Sequence, residues 1–205
     1  MNKIFLFFFS LSYVTLSAVT HNIPADFDFI QDGIAAAATG DTVLIHPGIY
    51  QECIDFGGKQ ITVASLFHLT QDEVYIPLTV IQADSDQVSV NFSTLEDSLS
   101  FLIGLTLTAG NGAVMCNSAS PTLMHLIIHN NSSSGHGGGI YCEDANPILQ
   151  NLSINFNSSA GKGGGIYLLN SQPVMQNITL LNNISNDEGG GIYLENSNLS
   201  ADSLF

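Results

Sequence analysis

Gly137-Gly138-Gly139-Ile140-Tyr141 returns as Gly163-Gly164-Gly165-Ile166-Tyr167 and again as Gly189-Gly190-Gly191-Ile192-Tyr193, at a constant step of 26. Other positions keep the step: Pro121, Pro147 and Pro173; Leu126, Leu152 and Ile178; Ile128, Ile154 and Leu180; Asn131, Asn157 and Asn183. A degenerate copy precedes them, Gly112-Ala113-Val114-Met115-Cys116, one such step before Gly138-Gly139-Ile140-Tyr141-Cys142. Such a period belongs to solenoids, propellers and arrays, and the content of the unit decides between them. The unit has no helical stretch; its apolar residues alternate at step two and are broken by Gly, Asn, Ser and Pro, which is strand and turn chemistry. A propeller blade needs about 40 residues for its four strands. The shorter unit holds about three short strands and their turns, one coil of a parallel β-helix.

In a β-helix each strand pairs with its equivalent one coil on, roughly 4.8 Å away, so every inward position becomes a column of like residues. Val114, Ile140, Ile166 and Ile192 are predicted to form one inward column, and Cys116, Cys142, Leu168 and Leu194 another. Alternation turns Met115, Tyr141, Tyr167 and Tyr193 outward. The glycine triplets supply positive φ or close approach at a corner. Asn131, Asn157 and Asn183 are predicted to form a structural ladder, with left-handed backbone at the bend and amides bonded from coil to coil. Ser132 to His136, Ser158 to Lys162 and Ile184 to Glu188 vary between repeats and read as an outward corner loop. That loop is shorter in the preceding coil, where the step from Leu105, Leu107 and Gly110 to Leu126, Ile128 and Asn131 falls to 21.

Towards the N-terminus, Lys3 precedes the apolar run from Ile4 to about Val14 and small residues around Thr15 to Thr20. Residues 1–20 read as a secretory signal peptide cut after Ser17 or Thr20, with an uncleaved membrane anchor as the alternative. The remainder, 21–205, reads as one β-helix domain. Phe27 to Ala38 permits a short amphipathic helix that would cover the open end of the first coil. Leu204 corresponds to Ile178, so the sequence stops inside a strand, and a fragment of a longer polypeptide or a degenerate reading frame is expected.

Three lysines, no arginine and 18 carboxylates give a net charge of −15. Nucleic acid and anionic membrane surfaces are both recognised through clustered Lys and Arg, and this composition excludes both as partners.

Ile23-Pro24-Ala25-Asp26, Thr39-Gly40-Asp41-Thr42-Val43, His46-Pro47-Gly48-Ile49-Tyr50 and Lys59-Gln60-Ile61-Thr62-Val63 resemble the N-terminal cap and first coils of secreted right-handed parallel β-helix proteins of the pectin-lyase-like superfamily. The repeats are similar to those of polymorphic outer membrane proteins, which pair a Gly-Gly-Ala/Gly-Ile motif with Phe-x-x-Asn. Here Ile128-x-x-Asn131, Ile154-x-x-Asn157 and Leu180-x-x-Asn183 stand at the second motif, with Ile or Leu for Phe. The resemblance covers about residues 23 to 205 and implies fold more than function, because the superfamily holds lyases, hydrolases, adhesins and proteins of no known activity. Its lyases use Arg or Lys as base or substrate clamp, which this chain lacks in number, and an acidic glycan would be repelled by the net charge.

Hydrolases of this fold need close carboxylates. Glu143-Asp144 and Asp187-Glu188 fall at different places in the repeat and read as solvated turn residues, leaving no catalytic residue to name. No cofactor and no metal site is expected, with acidic loops open to loose Ca²⁺ binding. His125, His129 and His136 have Asn151, Asn155 and Lys162 as their equivalents one coil on, so no histidine cluster repeats. The best binding candidates are Tyr141, Tyr167 and Tyr193, read either as a flat aromatic strip for a sugar ring or as rings that stabilise the sheet. Cys116 and Cys142 face the same way from adjacent coils, which favours buried thiols over a strained disulfide. Eight Asn-x-Ser/Thr sequons follow from turn composition, and ladder asparagines would be buried.

The sequence thus specifies an all-β, right-handed parallel β-helix of about seven coils. Its expected role is a non-catalytic interaction or adhesin-like module at the cell surface, outer membrane or outside the cell, meeting a glycan or a host or cell-surface protein. The alternative is a fragment of a polysaccharide-active enzyme, a lyase or glycoside hydrolase, whose catalytic coils are missing or unrecognised.

Overall fold

A computed structural model describes residues 17–205. Residues 1–16 of the segment read as a signal peptide lie outside the described residues. The first strand begins at Thr20, and the Val19 N–H donates to Asp41 Oδ1 at 2.7 Å.

The chain winds into a parallel β-solenoid of three sheets with twelve, six and three strands. The six-stranded sheet carries the predicted columns in register: Val114, Ile140, Ile166 and Ile192 pair in sequence, as do Cys116, Cys142, Leu168 and Leu194. In the twelve-stranded sheet two ladders run side by side as separate strands, Thr122–Met124 and Ile127–His129, then fuse into the continuous strands Ile148–Asn155 and Val174–Leu181. One core cluster runs through the coils from Ile23 to Ile178, including Phe56 and Phe92 with ring centroids 4.4 Å apart.

Each full coil turns through four left-handed residues. One is the first glycine of the triplet, with φ of 64° at Gly137, 68° at Gly163 and 69° at Gly189. The others recur at Asp144, Asn170 and Asn196; at His125, Asn151 and Asn177; and at Asn130, Phe156 and Asn182. This moves the left-handed bend expected at Asn131, Asn157 and Asn183 back by one residue. The physical reason is that Asn130, Phe156 and Asn182 throw their side chains into solvent, which leaves the next residue pointing inward. The corner loop is also more ordered than its variability suggested. Its first residues, Ser132–Ser133, Ser158–Ser159 and Ile184–Ser185, form the three-stranded sheet. Gly138 and Gly164 serve close approach, since a Cβ on either would collide with carbonyl oxygens of the next coil.

The cap helix α1 (Ile30–Ala36) buries Ile30, Gly33 and Ile34 against the first coil. Its ends are satisfied from later in the chain. Glu52 accepts the Ile30 and Gln31 N–H groups at 2.9 and 3.1 Å, and Lys59 Nζ donates to the carbonyls of Ile34, Ala35 and Ala37 at 2.7, 2.7 and 2.8 Å. A carboxylate at the N-terminus and an ammonium at the C-terminus match both the unpaired backbone groups and the helix dipole.

Between the strands Thr62–Ser65 and Thr79–Gln82 the chain leaves the coil as two short helices, α2 (Phe67–Thr70) and α3 (Tyr75–Leu78). This insertion has its own small core, in which Phe67 and Ile76 pack with Ala64 and Ile103 on the outer face of the twelve-stranded sheet.

Candidate functional site

The predicted ladder residues line up at one corner. Asn131 Nδ2 donates to Asn157 Oδ1 at 2.9 Å and Asn157 Nδ2 to Asn183 Oδ1 at 3.0 Å. The same oxygens accept the backbone N–H groups of Asn131 and Asn157. Asn131 and Asn157 are buried, which makes this ladder structural rather than a contact surface.

The tyrosines project outward as their parity requires, with ring centroids 5.4 Å apart for Tyr141 and Tyr167 and 5.8 Å for Tyr167 and Tyr193. They are not a bare strip: Tyr167 keeps only 4% of its surface. Its ring is stacked by His136 at 4.6 Å, and its hydroxyl donates to Glu195 at 2.9 Å. One coil on, Lys162 takes the place of His136. Its ammonium lies 4.3 Å from the Tyr193 ring centroid, donates to the Tyr193 hydroxyl at 2.7 Å and meets Glu188 at 3.2 Å. Those two acceptors hold the Lys162 pKa above the ordinary lysine value. Burial and the bond to Glu195 push the Tyr167 hydroxyl up to about 12. Burial and Glu143, which accepts from the Tyr141 hydroxyl at 2.8 Å, raise Tyr141 as well. Tyr167 reaches to the next coil for its carboxylate because Leu169 occupies the register position of Glu143.

A second feature lies on a different sheet from the tyrosines and escaped the sequence reading. The insertion walls a cleft of about 450 Å³ over the twelve-stranded sheet, with Glu73, Ile76 and Pro77 on the insertion side. Its floor holds a hydrogen-bonded rail: Asn151 Nδ2 bonds His125 Nε2 at 3.0 Å, and Asn177 Nδ2 donates to Asn151 Oδ1 at 2.8 Å. These are the left-handed residues of three successive coils, so their side chains lean outward from a bend. The His125 ring also stacks on Phe67 at 4.5 Å, and burial lowers its pKa. Ser153 and Thr179 add hydroxyls beside the rail. The sequence signal was present in the equivalence of His125 with Asn151, but residues 66–78 show no periodicity that would predict the wall.

Cys116 and Cys142 are free, buried thiols, and the neighbouring Cys142 thiol together with burial holds the Cys116 pKa above its ordinary value. Among the described residues no group of three or more His, Cys, Asp or Glu is placed to hold a metal ion. His129 bonds Asn130 and His136 accepts the Lys162 N–H at 2.9 Å, so the three sequence-flagged histidines serve separate contacts.

The coils, their in-register columns and the lateral cleft define a parallel β-solenoid repeat protein with substantial surfaces on its sides. The family model of the Chlamydia polymorphic membrane protein repeat matches residues 125–143 and 177–195, two segments that each run through a corner asparagine to an Ile-Tyr strand, so the coils resemble those repeats. A crystal structure of a pectin methylesterase mutant in complex with a hexasaccharide is similar at 11% identity and TM-score 0.39, covering 85% of this chain and 67% of that one. A second pectin methylesterase complex with a hexasaccharide gives 12% identity and TM-score 0.37 at the same coverage. No curated protein sequence matches.

Proposed function

We propose that this protein is a non-catalytic interaction module displayed outside the cell, and that it holds a neutral glycan in the cleft beneath the insertion. The carrying observation is the His125–Asn151–Asn177 rail. Each asparagine amide has two N–H donors and commits one to its neighbour, which leaves a second donor for a ligand hydroxyl. Ser153 and Thr179 can donate or accept alongside, while Ile76, Pro77 and Ile127 supply the apolar surface that the C–H face of a sugar needs. Glu73 at the rim and the net charge of −15 favour an uncharged ligand over an acidic one. The likeness of the coils to a membrane-protein repeat supports the surface location.

The test is an array of neutral and acidic glycans probed with wild type and Asn177→Ala. Retention on a neutral glycan, reduced about ten-fold or more by the substitution, is expected of a site built on hydrogen bonds. Retention on acidic glycans alone, or equal retention by both proteins, overturns the reading. Labelling of unpermeabilised source cells with an antibody to the folded domain tests the location; signal that requires permeabilisation refutes it.

A further inference from the structure

We infer that the outer face of the six-stranded sheet carries a second site, at Tyr141, which takes the lysine side chain of a partner protein. The argument comes from comparing successive coils. The residue just before the glycine triplet covers the tyrosine one coil on: His136 stacks on Tyr167, and Lys162 lies against Tyr193. The two pairs have the same separation along the chain, and in the second the covering group is an ammonium. Among the described residues, no such side chain covers Tyr141. The coil that should supply it runs directly from Gly110 through Asn111 to Gly112, without the corner loop that carries His136 and Lys162. Asn111 is itself committed, accepting the Ser134 N–H at 2.7 Å.

The missing cover leaves a cleft of about 260 Å³ lined by Tyr141, Met115, Asn111, Gly112 and the His136 loop. The Lys162 contact shows what such a place accepts. There an ammonium meets an aromatic ring, donates to the phenol oxygen and is neutralised by a carboxylate. Tyr141 offers the same three elements: the ring, the hydroxyl oxygen with a free lone pair, and Glu143 bonded to that hydroxyl. The thioether of Met115 provides an apolar wall for the butyl chain of a lysine. The acidic net charge adds a long-range attraction for a basic partner. This site lies on a different sheet from the proposed glycan cleft, so either can fail without the other.

Titration of the intact protein, with its tyrosine rings labelled for NMR, by Nα-acetyl-lysine methylamide tests the inference. The ring signals of Tyr141 are expected to shift saturably, while the Nε-acetylated analogue and norleucine amide leave them in place. Tyr141→Leu should weaken binding about ten-fold or more through loss of the ring and the phenol oxygen. Glu143→Gln, which keeps shape and removes charge, should weaken it several-fold and preserves the test if the leucine variant misfolds. Equal shifts with the Nε-acetylated analogue, saturable occupation by glucose or by a tyrosine amide in place of lysine, or unchanged affinity in Glu143→Gln would overturn the assignment.

Discussion

Asn157→Ala tests whether the asparagine ladder holds the solenoid together. The Asn157 amide donates to Ile128 O and Asn183 Oδ1, both at 3.0 Å, and accepts from the N–H and Nδ2 of Asn131 at 3.1 and 2.9 Å. Alanine removes all four bonds at a position with 1% exposure, where water cannot substitute. Orphaning a buried donor such as the Asn131 N–H costs about 1–3 kcal/mol, and each further bond about 0.5–1.5 kcal/mol net. Relaxation recovers part of this, so we expect a loss of about 3–4 kcal/mol, a large share of the roughly 5–15 kcal/mol that keeps a domain folded. With a denaturant slope of about 2–3 kcal/mol/M, the urea midpoint followed by circular dichroism should fall by about 1–2 M. Gln176→Ala is the control: it removes one exposed amide contact of 3.3 Å and should cost less than about 0.5 kcal/mol. The reasoning is refuted if Asn157→Ala shifts the midpoint no further than Gln176→Ala.

Gly164→Ala should destabilise by about 3 kcal/mol or more, because its Cβ meets carbonyl oxygens of the adjacent coil. Gly135→Ala, with no atom closer than 4.0 Å and ordinary φ, should fall within about 0.5 kcal/mol of wild type, and thermal melts of the pair check both. Lys59→Met should cost about 1–3 kcal/mol by releasing three carbonyls at the end of α1, and should selectively raise amide exchange over Ile30–Ala36. Acid should destabilise the fold. Asp41 is held below its ordinary value by the Val19 and Ala38 N–H groups; burial alone would raise Glu96, but donors from Gly58 and Thr94 bring it down. Depressed carboxyl pKa values give stability that is complete above about pH 4–5 and lost as pH falls through the folded values, so the melting temperature should hold from pH 7 to 5 and drop towards pH 3. Cys116 and Cys142 should resist iodoacetamide in buffer and react in urea, read by mass shift; modification of both in buffer would contradict their burial.

The repeating half of the structure was legible because a parallel solenoid writes each inward position into the sequence several times over. One coil of Ile140, Tyr141 and Cys142 is ambiguous, but three in register fix parity and column. The cap helix was legible from Ile30 and Ile34, whereas its partners Glu52 and Lys59 were not, since they lie well beyond the helix along the chain and carry no periodic mark. The bends at Asn130, Phe156 and Asn182 hid for another reason: Phe156 is a poor left-handed residue by intrinsic preference, and tertiary context overrides it. Residues 66–78 form the wall of the cleft, yet they leave the coil and share no column, so nothing in the repeat describes them. The cover of Tyr167 by His136 depends on a loop whose sequence differs in every coil. Only its position recurs.

Lys59 and Lys162 are the two cationic side chains among the described residues, and both are occupied, one by the carbonyls closing α1 and the other by Tyr193 and Glu188. A trypsin-like protease must draw a free lysine or arginine into a deep acidic pocket before it can cut. This surface offers it neither an arginine nor an unengaged lysine, and digestion then waits on local opening of the chain. Exposed corners bearing Phe156, Leu181 and Ile184 remain open to enzymes that read apolar residues. The scarcity of positive charge thus sorts the digestive environments in which the folded solenoid persists.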